Sequence, residues 1–148
     1  LSRRISVQAF NHPLGSTAMS FFCAPRLKAQ LKGAFPACLN DMPMLIQGAS
    51  ASVRQQLEGW LTRHQIHPRV IGEFDDGALM KAFGQAGVGI FSAPTAIAGQ
   101  VVRQHDVVSI GSTVEVIEQF YAISVERKLT HPAVVAISRA ARQELFGK

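Results

Sequence analysis

The stretch IGEFDDGALMKAFGQAGVGIFSAPT, residues 71–95, decides how the rest of the chain is read. Residues 69–74 form a short β-prone run. Asp75 and Asp76 follow as capping residues, because their carboxylates accept hydrogen bonds from the free N–H groups of a first helical turn. Leu79, Ala82, Phe83 and Ala86 recur at helical spacing and predict one apolar stripe. Gly84 and Gly87 bracket the helix end, and residues 88–91 read as a buried strand. Residues 92–95 then turn into another helix, with Pro94 suited to its first turn. A strand–helix–strand unit of this length requires a parallel sheet. Its loops, residues 74–77 and 91–95, fall at the carboxyl edge, where open α/β sheets hold ligands.

Working outward, residues 44–47 (MLIQ) predict a compact strand, and the small, polar run GASAS (48–52) leads into a helix. Val53, Leu57, Trp60, Leu61 and His64 give that helix an amphipathic face, and Pro68 stops it. Further upstream, residues 5–10 and 17–23 read as two strands joined by a turn-rich connection at 11–15. Residues 25–32 read as a short basic helix ending at Gly33. Downstream come a helix over 96–104 with Ile97, Val101 and Val102 inward and a strand at 107–110. A connection over 111–118 and an alternating strand at 119–126 follow. The last helix opens at Thr130-His131-Pro132, with Val134, Ile137, Ala141 and Leu145 as its apolar face. The middle of the chain is doubly wound α/β, and the first and last pieces belong to a second lobe.

The chain of 148 residues is long enough for a real core. No apolar run approaches the roughly 18 residues of a membrane helix, so no membrane partner is expected. The chain opens without methionine and without a secretory apolar segment, and it reads as a piece of a longer cytoplasmic polypeptide. Its formal charge of +5 comes from Arg3, Arg4, Arg26, Lys28 and Lys32, since the first forty residues hold no acid and the remainder carries ten of each sign. No basic-aromatic pattern and no helix-turn-helix accompanies that charge, so this segment does not itself read DNA. Cys23 and Cys38 lack metal or redox spacing and read as buried free thiols.

Several constellations bear on chemistry. Glu73, Asp75 and Asp76 are the densest acidic group and the candidate ligands for a hard cation, against the simpler reading of a helix cap with a solvent-facing Glu73. His64 and His67 have metal-like spacing, but the helix ends there without a third ligand, so a helix-end role is expected. His12 and His131 precede prolines in turns. Ser50, Ser52, Ser92 and Thr95 all fall at expected helix starts, where a hydroxyl both caps and offers a polar ligand site. No nucleophile–base order, phosphate loop or dinucleotide fingerprint occurs, so neither an enzyme nor a cofactor is expected.

FNHPLGSTAMSFFCAP (10–25), FPACLNDMPMLIQG (35–48), GEFDDGALMKAFGQAGVGIFSAPT (72–95) and FYAISVERKLTHPAVVAISRAARQELF (120–146) resemble the effector-binding domain of LysR-type transcriptional regulators. The GEFDD-ALMKAFG run and the HPAV ending are similar to the subgroup of sodium-responsive activators of a sodium/proton antiporter gene. The resemblance implies an α/β, periplasmic-binding-protein-like (type II) fold of two lobes. Residues 44–118 would form a complete lobe II, and residues 1–43 and 119–148 a truncated lobe I. It further implies an effector cleft whose lobe II side is Ser50, Ser52, Phe74, Asp75, Asp76, Ser92, Pro94 and Thr95. The effector would be a small molecule or an ion, with Glu73, Asp75 and Asp76 as cation candidates. The protein would be a homodimer or tetramer that meets promoter DNA only through a helix-turn-helix outside this sequence. A transporter's solute receptor shares the fold and is the alternative; an export signal would distinguish it. A small enzyme would need a convergent acid or base, and only Asp75 and Asp76 are available for that.

Overall fold

The computed structural model describes residues 9–124, 139–144 and 146. The elements run β1 (Phe10–Cys23), α1 (Pro25–Lys28), β2 (Pro43–Gln47), α2 (Ser52–Arg63), β3 (Arg69–Phe74), α3 (Gly77–Gln85), β4 (Phe91–Pro94), α4 (Ala98–His105) and β5 (Val108–Ser124). Short 3₁₀ turns lie at Ala37–Leu39 and Thr95–Ile97. Packing divides the chain into two compact units, Leu1–Ser16 with Gln119–Lys148, and Thr17–Glu118. In the first, the Phe120 and Phe146 rings meet at 5.8 Å and Arg142 donates to the Pro13 carbonyl at 2.8 Å.

The second unit is built on strands buried from both sides. Met19, Phe21 and Cys23 of β1 enter one core, while Phe22, the intervening residue, enters another. Successive side chains of a strand point to opposite faces, so a strand that is apolar on both must have helices on both. The β2 strand repeats the pattern, with Met44 and Ile46 in the first core and Leu45 in the second. On the first face α2 supplies Val53, Leu57, Trp60 and Leu61, and Trp60 stacks on Phe21 at 5.2 Å. On the other, α3 and α4 supply Met80 and Val101 against Phe91.

β2 and β3 pair in parallel, and Met44 bridges in parallel to Ile90. The Ile90 N–H donates to the Pro43 carbonyl and the Leu45 N–H to the Ile90 carbonyl, both at 2.8 Å. β4 pairs antiparallel with β1, which lies between β4 and β5. The α/β alternation and the parallel crossover therefore stand, and the antiparallel β4–β1 pair is an addition.

Four local expectations change. Residues 10–23 are one strand, not two with a turn. The turn-like residues 111–118 lie inside β5, because the β-branched run Thr113, Val114, Val116 and Ile117 outweighs the Gly111-Ser112 punctuation. α1 is only Pro25–Lys28. The strand expected at 88–91 begins at Phe91, and Pro94 sits inside it, which an edge strand tolerates. The final helix is described only at residues 139–144 and 146; Val134, Ile137 and Leu145 lie outside the described residues.

α3 also turns a different face inward. Met80 is 3% exposed and Gly84 is buried, while Leu79 is 50% and Phe83 43% exposed. Both stripes have helical spacing, and glycine decides between them. A Cβ at Gly84 would collide with the Phe91 ring, so the helix lies against β4 through its smallest residue. Gly87, at φ +82°, then ends the helix in a conformation that L side chains rarely adopt. Substituting Gly84→Ala should therefore destabilise by about 1–3 kcal/mol through overpacking, although alanine is the better helix former. Gly59→Ala in α2 meets only the flexible end of Arg63, and should gain up to about 1 kcal/mol. Urea unfolding of both variants checks the pair, and a gain at Gly84 would contradict this packing.

α2 is tied to β5 at two places. The Gln56 side-chain amide donates to the Ile117 carbonyl at 2.8 Å and accepts from the Ile117 N–H at 2.9 Å, which covers part of a strand edge. At the helix end His64 Nε2 donates to Glu115 at 2.7 Å, with Arg63 3.6 Å from the other oxygen. The His64 hydrogen bond, followed by the nearby charges, holds the Glu115 carboxyl below its ordinary 4.5. A depressed carboxyl contributes stability above 4.5 that is lost as pH falls through its folded value. Glu115→Gln should thus lower the melting midpoint at pH 6, and the deficit should close as pH is taken below 4.5. A deficit independent of pH would place its origin outside the carboxylate charge.

Candidate functional site

The carboxyl ends of β2, β3 and β4 deliver three loops to one edge of the Thr17–Glu118 unit. Those after β2 and β3 touch: the Gly48 N–H donates to the Phe74 carbonyl at 2.9 Å. A Cβ at Gly48 would run into the Asp75 carboxylate, so the glycine makes room for that acid. The third loop is the turn Thr95–Ile97, held from β1: the Ser20 and Thr95 hydroxyls bond at 2.8 Å, and the Ala96 N–H donates to Thr17 Oγ1 at 3.0 Å. Gln47, last residue of β2, donates from Nε2 to the Ser92 hydroxyl at 3.1 Å and to its carbonyl at 3.3 Å.

Among the described residues, the buried polar side chains are Thr17, Ser20 and Ser92, and all three serve this edge. A buried hydroxyl without a partner costs a few kcal/mol, so each is spent on holding a loop. The Gln47 Oε1 atom is buried and has no partner among the described residues, with the amide orientation fixed by the Ser92 carbonyl, which accepts only.

The residues expected here divide into groups. Ser92 is buried against Gln47, Pro94 closes β4, and Thr95 opens the turn. Phe74 ends β3, half-buried, with its ring 5.4 Å from Phe83. Ser50 and Ser52 are exposed, but neither caps α2. The cap position is Ala51, and it makes no side-chain bond. The same holds at Thr95, whose hydroxyl goes to Ser20. The cap is real at Asp76, whose Oδ1 accepts from the Ala78 N–H at 2.8 Å and the Leu79 N–H at 3.3 Å.

The three carboxylates are not pooled. Glu73 accepts from Arg54 Nη2 at 3.0 Å, Asp76 is used by its helix, and Asp75 stands exposed at the loop. Arg54 in turn donates to Glu58, Glu73 and the Gln47 carbonyl, and its hydrogen bond to Glu73 is the main reason its affinity for a proton rises further. Glu73 is drawn to α2 by its bond to Arg54, while Asp75 and Asp76 lie beyond the end of β3. Among the described residues no group of three His, Cys, Asp or Glu is placed to hold a metal ion. His64 is taken by Glu115, and the His67 backbone N–H by Asn40 at 2.7 Å.

Sequence reading missed Thr17, Ser20 and Gln47. The usable signal was polar residues inside otherwise apolar strands, MLIQ and TAMSFFC, since a buried strand keeps a hydroxyl or amide only where it has a partner.

The sequence model of one protein family, described as the LysR substrate binding domain, matches residues 8–146. This chain belongs to that family. The LysR domain is similar to the "Transcriptional activator protein NhaR" of Escherichia coli (strain K12), 36% identical over 137 residues, which cover 93% of this chain and 44% of that protein. The chain thus spans less than half the length of the curated relatives it matches. Among solved structures it resembles the AmpR effector-binding domain from Citrobacter freundii (TM-score 0.69, 21% identity, covering 95% of this chain and 69% of that one). It also resembles the regulatory domain of HypT from Salmonella typhimurium (TM-score 0.67, 16% identity, covering 95% and 68%). The fold is therefore the α/β, type II periplasmic-binding-protein-like fold of LysR effector-binding domains, as the sequence resemblance implied. The family is one of transcriptional regulators. Among the described residues no helix is long and apolar enough to cross a membrane.

The caps give a direct check on this edge. Asp76→Ala should cost about 1 kcal/mol, as loss of a helix cap does, whereas Ser52→Ala should change stability by less than about 0.5 kcal/mol. Equal losses in denaturant melts would mean that the serine caps α2 after all.

Proposed function

We propose that this LysR domain is the effector-sensing part of a cytoplasmic transcriptional activator. It would act as a homodimer or tetramer on promoter DNA, through a helix-turn-helix elsewhere in the polypeptide. The observation that carries the reading is the meeting of three loops at one sheet edge: a backbone bond joins the loops after β2 and β3, and the buried Thr17 and Ser20 hydroxyls hold the turn after β4. Likeness to a protein named a transcriptional activator supports the regulatory role. The resemblance to sodium-responsive activators makes a sodium/proton antiporter gene the proposed target.

The effector meets Thr95, Asp75 and Ser50 directly, with Ser52 at the first turn of α2, whose N–H groups no side chain caps. Ser92 and Pro94 shape the turn beneath it, Phe74 offers an apolar side, and Asp76 keeps α3 in place. A small polar molecule suits this set. Its acceptor oxygens take the free N–H groups of α2, and its donors go to Asp75. For an ion, Asp75 is the carboxylate left unengaged, so carbonyl oxygens would supply the remaining ligands.

Thermal unfolding of the full chain against sodium and potassium chloride, small carboxylates and polyols tests the site. One of these should raise the midpoint with concentration, by the equivalent of about 2.7 kcal/mol at a hundredfold excess over Kd. That rise should be lost in Thr95→Val and Asp75→Asn. A stabilisation that survives both substitutions would remove the effector from this edge. Reading the parent gene upstream of Leu1 tests the larger assignment: a helix-turn-helix segment is expected, and a secretory signal would transfer the domain to the solute receptors.

A further inference from the structure

A second opening lies within the same unit, between α1, the turn that follows it and the start of β5. Its volume is about 260 Å³, and it is lined by Lys28, Leu31, Phe35, Cys38, Ser109 and Ile110. Its chemistry is lopsided. Leu31, Phe35 and Ile110 are partly buried and pack against the Trp60 core, so the apolar lining is held by a rigid floor. The Phe35 ring lies 5.4 Å from Phe21 and 5.9 Å from Trp60. The Cys38 thiol is buried, and burial pushes it up from its ordinary value, so this wall is uncharged at neutral pH.

One charge faces that lining. Lys28, on the last turn of α1, pairs with no carboxylate among the described residues, and the first forty residues contain none. Its basic neighbour Arg26 is committed to the Ala86 carbonyl. A single unpaired ammonium beside an apolar wall suits neither a cation nor a phosphate, which takes several donors. It suits one anionic oxygen group attached to an apolar body. An apolar cavity of roughly 150 Å³ already accommodates benzene, so this one has room for a ring with a short side arm.

We propose that this opening is a second ligand site of the domain, for an amphiphilic monoanion of the aryl or short-chain carboxylate class. The carboxylate sits on Lys28 and the apolar body lies against Leu31, Phe35 and Ile110. The site is separate from the sheet-edge loops and does not depend on their function.

Trp60 is the chain's one tryptophan and stacks near Phe35, so its fluorescence reports occupancy. Phenylacetate titrated into the full chain should give a saturable change, and phenylacetamide, which lacks the charge, should bind about three- to fivefold more weakly. Lys28→Gln should erase that difference by weakening phenylacetate alone, while Thr95→Val should leave it intact. Saturating phenylacetate should also slow alkylation of Cys38, located by mass spectrometry. Ile110→Glu should block both ligands; since it touches the core, Lys28→Gln, on an exposed helix, carries the decision. No saturable change, or equal binding of acid and amide to the parent chain, would overturn the proposal.

Discussion

Phe21 and Phe22 are neighbours in sequence that must both be buried, and they cannot be buried on the same side. A strand sends alternate side chains to opposite faces, so this dipeptide obliges the sheet to carry a core on each. One core is completed by Trp60 and its helix, the other by Phe91, Met80 and Val101. The doubly wound order follows, because an α/β chain reaches both faces by crossing over. The glycine contact between α3 and β4 follows as well. With Phe91 fully buried beside Phe22 at 5.5 Å, the helix above it has room for no side chain at position 84.

Much of this architecture is legible in the sequence where periodicity and chain reversal coincide. α2 is amphipathic and ends before Pro68, Asp76 caps α3, and the MLIQ and RVIGEF runs pair in parallel as a crossover demands. Legibility fails where two local patterns compete on equal terms. Leu79/Phe83 and Met80/Gly84 are both spaced by four residues, and hydropathy favours the pair that the tertiary structure leaves outside. The decision is made by a ring elsewhere in the chain. Pro13 and Gly111 mislead in the same way, as turn residues that a long strand absorbs.

The meeting of the loops at the candidate edge is legible in the sequence, and the bonds that hold them are less so. Chain order alone brings Asp75 and Thr95 to one edge. Which hydroxyls cap helices and which hold loops depends on distances across the fold, so the serines of GASAS look like caps and are not. Thr17 and Ser20 precede Thr95 by more than seventy positions and still set its turn. A hydroxyl inside an apolar strand is the cue worth following, because its burial must be compensated by a bond.

These bonds also have a mechanical consequence. The chain passes between its two units at Ser16–Thr17 and again at Glu118–Gln119. Thr17, the first residue beyond one passage, receives the Ala96 N–H of the turn that Thr95 opens. Ile117, just before the other, is bonded at both its N–H and carbonyl to Gln56 of α2. The turn and the helix at the proposed effector edge are therefore each hydrogen-bonded beside one of the two passages. A ligand shifts a conformational equilibrium only through contacts that differ between its states. Thr95 and α2 each connect to a passage with few intermediaries. One reaches a passage through a single side chain, Thr17, and the other through a single helix.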